Sequence, residues 1–209
     1  FCGGGGFFLG ARVLNRPRAG RLLNLLNAGR GSIDGGSIDS LSYHFDGQAI
    51  SHTFYNGHID IAVIKLLNPL LPDTSIIVST PFRVKIPSGL ISRLGHIGQS
   101  YQITQWYPKP AVYDKNGWNP IPYLNQGEFY SEFGSFDVSI TLPDNYVVGS
   151  TGDLQDESEI KFMNELAKKT KADLDEIIEG RDNFDGKTYS IKKSSNKFKT
   201  LHYTVPSNY

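Results

Sequence analysis

Leu41-Ser-Tyr-His-Phe-Asp-Gly47-Gln-Ala-Ile50-Ser-His-Thr-Phe-Tyr55-Asn-Gly57-His-Ile-Asp-Ile-Ala-Val-Ile-Lys-Leu-Leu67 is the stretch that decides the fold. Leu41, Tyr43 and Phe45 alternate with Ser42, His44 and Asp46, which is the period-two pattern of a strand with one buried face. Gly47 turns the chain, and the apolar runs Ile50–Tyr55 and Ile59–Leu67 follow. Between them stands Asn56-Gly57, two residues that tolerate positive φ and so favour the tight turn of a β-hairpin.

Working outward, the same signals continue. Pro69 and Pro72 punctuate the chain before an expected strand at 75–79, and a second is expected at 82–86, ended by Pro87. The segment 103–125 reads as loop-rich, with prolines at 108, 110, 120 and 122. Strand character resumes at 135–142, where Phe136, Val138, Ile140 and Leu142 share a face. Pro143–Asn145 then turns the chain into 146–150. Residues 187–192 and 200–205 read as a closing strand pair. Short strands at this spacing predict a mainly β fold, an antiparallel saddle-like β-sandwich.

One helical insertion, about 156–180, interrupts the pattern. Asp156 with Glu159 resembles a capping box, and Ile160, Met163, Leu166 and Ala167 follow on one face. Thr170 with Asp173 offers a second start before Leu174, Ile177 and Ile178, and Gly180 is the expected stop.

Residues 1–36 differ from everything after them. They hold 10 of the 22 glycines and five of the eight arginines but none of the 13 lysines. They read as a Gly/Arg-rich leader, poorly ordered or not native to the domain, ahead of a single β domain at 37–209. No Gly-Lys-Ser/Thr follows the glycine run, so it does not read as a phosphate cradle.

Composition removes several function classes. Lys+Arg and Asp+Glu both number 21, so no net field points to nucleic acid, and the one basic cluster, 187–199, reads as the solvated side of a strand pair. Cys2 is the only cysteine, which excludes a disulfide framework and a thiolate metal site. No apolar run approaches the roughly 18 residues of a membrane span. His44, His52, His58, His96 and His202 form no HExxH arrangement, there is no Gly-x-Ser-x-Gly elbow, and Glu128 and Glu132 read as loop hydrogen-bonders, not a hydrolytic pair. No catalytic or metal-ligating residue is expected.

What remains is aromatic. Ten of the 25 aromatic residues, both tryptophans included, lie between Gln99 and Phe136. Composition alone assigns Trp106, Tyr107, Trp118, Phe129 and Phe133 to packing where the prolines deny regular pairing. The alternative is a carbohydrate-binding β-sandwich that stacks sugars on Trp106 and Trp118.

The same stretch carries a family resemblance. Tyr101-Gln-Ile-Thr-Gln-Trp-Tyr-Pro-Lys109, Ala111-Val-Tyr-Asp114, Gly117-Trp118, Gly127-Glu-Phe-Tyr-Ser-Glu-Phe133 and Asp137-Val-Ser-Ile-Thr-Leu-Pro143 come in that order. Tyr146-Val-Val-Gly-Ser-Thr-Gly152 and Lys199-Thr-Leu-His-Tyr203 continue the series. Together they resemble the N-terminal domain of aminopeptidase N-like zinc metallopeptidases, in the branch found in Bacteroidetes-type bacteria, over about 38–203. The resemblance implies a saddle-like β domain followed, in the whole enzyme, by a thermolysin-like domain that holds zinc on HExxH and a downstream Glu. This chain ends before those ligands, so no cofactor is expected in it and the zinc is expected in the missing catalytic domain.

The resemblance further implies a non-catalytic role: one wall of the cleft that receives the N-terminal residue of a peptide substrate, docked on the catalytic domain of the same polypeptide. The substrate-binding residues it points to are Gln105, Trp106 and Tyr107. Tyr107 departs from the Gln or Glu that stands there in well-known members, which suits a more apolar first-residue pocket, while Gln105 either reaches the substrate or orients the loop. Trp118, Phe129 and Phe133 are expected to pack the domain. A scaffold from a zinc-less member fits the same residues. The compartment stays open, with cell envelope, periplasm or secretion ahead of the cytoplasm.

Overall fold

The computed structural model describes residues 21–24, 36–71, 73–90, 94–122, 124, 127, 130–179 and 193–206, with backbone alone at 21–24 and 176–179. Among these residues the chain is mainly β with one helix, as the periodicity predicts, and it divides into two compact units, 1–132 and 133–209.

In the first unit, β3 (Tyr43–Phe45) and β4 (Gln48–Ile50) form a hairpin with Tyr43 opposite Ile50 and Phe45 opposite Gln48. Asp46 (φ 46°) and Gly47 (φ 83°) make its two-residue turn. The next hairpin joins β5 (His52–Tyr55) to β6 (His58–Ile64) through Asn56 (φ 48°) and Gly57 (φ 77°), with a register shift at Phe54/Tyr55. Positive φ at both central residues matches the turn twist to the right-handed twist of the strands, which is why Asn-Gly and Asp-Gly recur at such corners.

β6 explains the core. Its sheet has the order β11-β1-β6-β5, with β1 (Arg21–Asn24) antiparallel to β6 and to β11 (Lys109–Pro110). Ala62 and Ile64 pack with Tyr43 and Phe45, ringed by Leu41, Ile50, Leu66, Ile76 and Val78. Ile61 packs instead with Ala111, flanked by Tyr55, Val63 and Trp118. A strand covered on both faces needs an unbroken apolar run, not an alternating one, and 61–64 is such a run. Each fully buried isoleucine contributes roughly 1.5–3 kcal/mol of transfer free energy.

Smaller elements complete this unit: β2 (Ser37–Asp39) pairs with β8 (Arg83–Lys85), and β7 (Val78–Ser79) pairs with β3. The strands expected at 75–79 and 82–86 are therefore present but shortened, to Val78–Ser79 and Arg83–Lys85, the latter standing between Pro81 and Pro87. Two hairpins stand where none was expected. β9 (Gly95–Ile97) pairs with β10 (Ser100–Gln102), and β12 (Val112–Asp114) with β13 (Gly117–Asn119) inside the loop-rich 103–125. The second closes on an Asx turn, with Asn116 N–H donating to Asp114 Oδ1 at 2.8 Å and Gly117 at φ 107°.

The second unit is a sheet of order β14-β16-β15 with the helix beside it. β14 (Phe136–Pro143) pairs with β16 (Phe198–Val205) along eight residues, and β15 (Asp153–Leu154) lies on the other edge of β16. Leu201, Tyr203 and Val205 are buried, on the side opposite Thr200, His202 and Thr204. Residues 146–150 are not a strand. Tyr146 N–H closes a turn on Pro143 O, and Asn145 is held by Lys193 O and Ser195 N–H, so the chain folds back toward 193–195. The expected strand at 187–192 lies outside the described residues.

Helix α1 (Glu157–Glu179) starts where predicted, with Asp156 O accepting from Glu159 and Ile160 N–H. It continues through Thr170 without a second start, and there the Thr170 hydroxyl donates back to Leu166 O instead of capping a new helix. Among the described residues no helix is long and apolar enough to cross a membrane.

Candidate functional site

Thr104 to Tyr107 leave β10 through an irregular segment before β11, and Gln105 sits there at φ 50°. A non-glycine residue in the left-handed region costs of order 1 kcal/mol, so surrounding contacts must hold it. Pro108 supplies part of that hold, since it is fully buried. Trp106 supplies more: its ring lies 5.8 Å from Phe82 and 6.0 Å, edge-on, from Tyr107. Gln105, Trp106 and Tyr107 are each half-buried. Burial raises the Tyr107 phenol above its ordinary value, which keeps it a neutral hydrogen-bonding group throughout the physiological range.

The three residues named from the sequence therefore occupy one kinked, aromatic-braced turn. Lys109 follows directly and donates to Ser131 Oγ at 2.6 Å, tying the turn to the end of the Gly127–Phe133 motif. Exposed apolar side chains from the same stretch, Tyr101, Ile103, Leu124 and Tyr130, accompany it on the surface of the unit.

Trp118 packs as expected, edge-on to Tyr113 at 5.0 Å and against the Ile61–Ala111 cluster. Phe133 does not. It is 79% exposed and corrects the packing role given to it, because it stands at the boundary of the two units where β14 has not yet begun. Phe129 and Glu128 lie outside the described residues, and Glu132 is exposed.

The histidines are dispersed. His52 meets Tyr43 and Phe54 edge-on at 5.1 and 5.5 Å, and His96 stacks on Tyr101 at 5.4 Å. His202 Nε2 lies 2.8 Å from Asp137 Oδ1 across the β14–β16 ladder. Among the described residues no three His, Cys, Asp or Glu side chains converge as a metal site.

One polar centre escaped the sequence reading. Lys199 Nζ reaches Glu159 Oε1 at 2.6 Å, nearly out of solvent, and lies 5.1 Å from the Phe162 ring centroid. Asp156 Oδ2 accepts His202 N–H at 2.7 Å. Both acids of the expected capping box thus bind β16 and seat α1 on it, and Lys199 is not part of a solvated basic face. The only sequence signal was the Asp156/Glu159 pair itself, and its partners lie about 40 residues downstream. The Tyr203 phenol, donating to Val148 O, is raised by burial first and then by the charges of Glu159 and Asp156.

Compared with known proteins, the chain matches no family model, no curated protein and no solved structure.

Proposed function

We propose that this chain is a non-catalytic β segment of a zinc aminopeptidase-like protein that lines the substrate cleft and docks on a separate catalytic domain. The ordered motif series from Tyr101 to Tyr203 motivates the reading. The observation that carries it is the turn at Gln105-Trp106-Tyr107: three adjacent half-buried side chains, fixed by a buried proline and a Phe82 contact, on a β scaffold. A cleft wall needs such preorganised groups, and exposed apolar side chains beside them supply docking area.

In this reading the zinc, its ligands and the water that attacks the peptide bond belong to the catalytic domain. This chain contributes a neutral phenol and an indole beside the substrate's first side chain, and Gln105 a polar contact or the loop geometry. Trp118, committed to the core cluster, does not fit a sugar-stacking role, which weighs against the carbohydrate-binding alternative.

The test has two arms. The purified chain alone is expected to hydrolyse no aminoacyl-anilide with zinc present; robust turnover would sink the proposal. Fused ahead of a thermolysin-like aminopeptidase domain, it is expected to support hydrolysis, with Tyr107→Gln raising KM for apolar first residues more than it changes kcat. A fusion whose substrate preference ignores position 107 removes the cleft-wall role.

A further inference from the structure

β14 lies at the edge of the sheet β14-β16-β15, and its eight residues pair with β16 in one unbroken register. Which of its backbone groups face outward follows from β16. His202 directs its N–H to Asp156 Oδ2 and its carbonyl to Gln155 N–H, both toward the β15 side. Successive residues of a strand direct these groups to opposite edges, so Leu201 and Tyr203 face β14. Leu201 stands opposite Ile140 and Tyr203 opposite Val138. Val138 and Ile140 therefore bond to β16, while Asp137, Ser139 and Thr141 present N–H and C=O outward. Among the described residues nothing pairs with those outward groups.

The open stretch has a definite end. Pro143, two residues beyond Thr141, has no N–H, and its carbonyl accepts from Tyr146 N–H at 3.1 Å. A sheet edge normally carries a lysine, a bulge or an internal proline that blunts pairing with another chain. Between Phe136 and Leu142 there is none of these. The one charge in that stretch, Asp137, is held 2.8 Å from His202 Nε2. We propose that β14 is a self-association edge, to which β14 of a second copy of this chain adds antiparallel about a two-fold axis at Ser139. Ser139 then exchanges both backbone bonds with Ser139 of the other copy, and Asp137 does so with Thr141. Every outward N–H and C=O of these three residues finds a partner. Half-buried Val138 stands opposite Ile140 of the other copy and carries the apolar face across the junction.

Charge and backbone chemistry select this occupant and this register. Like charges directly opposite each other destabilise a strand pair, but an axis at Ser139 sets Asp137 against the Thr141 hydroxyl. The two Asp137 residues then stand about 13 Å apart along the strands. Moving the axis to Ile140 would set Asp137 against Pro143, where the donor is missing. The open groups thus match themselves in the one register that uses all of them. A two-fold pairing of this kind is isologous and closes on itself, and it leaves β14 no longer an edge. A single strand pair covers well below the ~800 Å² per partner of a stable interface, so the dimer is weak.

Sedimentation equilibrium on the full chain, from about 10 to about 500 µM, is expected to show a monomer–dimer equilibrium in the upper part of that range. Ser139→Pro removes an outward N–H and no bond to β16, so it is expected to weaken the dimer at least about tenfold while the chain still melts within about 3 °C of the parent at low concentration. Thr141→Asp sets an acid opposite Asp137 of the other copy and is expected to weaken the dimer about threefold or more. Thr141→Lys sets a base there and is expected to tighten it by a similar factor. Both variants lose the 2.8 Å contact between the Thr141 and Thr200 hydroxyls, so a merely structural effect would move them the same way. A chain that stays monomeric at the highest concentration, a dimer indifferent to Ser139→Pro, or two Thr141 variants shifted in one direction would each overturn the proposal.

Discussion

Replacing Lys199 with Met tests how the helix is held to the sheet. Lys199 and Glu159 are 2.6 Å apart, and their side chains retain 16% and 9% of their exposure. Methionine keeps the aliphatic stem near Phe162 but removes the ammonium, leaving Glu159 as a desolvated carboxylate. Removing one partner of a fully buried pair typically costs about 3–5 kcal/mol. Lys199 keeps some contact with water, so relaxation toward solvent lowers the expected cost to about 2–3 kcal/mol, including about 0.5–1 kcal/mol from the lost cation–π contact. Urea unfolding followed at 222 nm reads this unit directly, because α1 is the one helix among the described residues. The double variant Lys199→Met/Glu159→Gln is expected to regain most of the loss, since a neutral amide costs far less to bury than an unpaired charge. A single variant within about 0.5 kcal/mol of the parent, or a double variant whose loss equals the sum of the two singles, would refute the reasoning: the pair would then be uncoupled.

Tyr43→Phe is expected to be neutral or stabilising by up to about 1 kcal/mol in the same denaturation experiment, because the Tyr43 hydroxyl is buried without a hydrogen-bond partner and its removal relieves a desolvated donor. Alkaline pH should destabilise the fold: burial raises the Tyr43, Tyr107 and Tyr203 phenols, so the unfolded chain ionises first. That stability is complete below the ordinary tyrosine value of about 10 and is lost as pH rises through the folded values. Absorbance titration near 295 nm should show delayed ionisation that shrinks in Tyr43→Phe. Gly152→Ala is expected to cost about 2–3 kcal/mol in thermal melts, since Gly152 sits at φ 97° and a Cβ there would stand 2.6 Å from Thr204 O.

Local chemistry made much of this legible. Asn56-Gly57 announced its hairpin, and Gly47 its turn, because two-residue turns need positive φ and few residues supply it. The alternation of Phe136, Val138, Ile140 and Leu142 announced β14, and Asp156 announced the start of α1. Asp114-Lys-Asn-Gly117 carried a turn signal of the same kind, yet the surrounding prolines masked the hairpin it closes. Gln105, Trp106 and Tyr107 were legible as a group only because their neighbours resemble a family series; nothing in their own spacing called for a left-handed Gln105 or a Phe82 contact.

By itself, then, the sequence determined the β character of the chain, its turn corners, the helix at 157–179 and the aromatic segment that carries the proposed function. All of these follow from preferences of residues within a few positions of one another. The tertiary structure decided the rest. It divided the chain at 132/133, exposed Phe133, covered both faces of 61–64, and diverted the acids of a helix start to partners on β16. Each of those outcomes depends on residues far apart in sequence competing for the same buried volume or the same charge, and local pattern does not encode which pair wins.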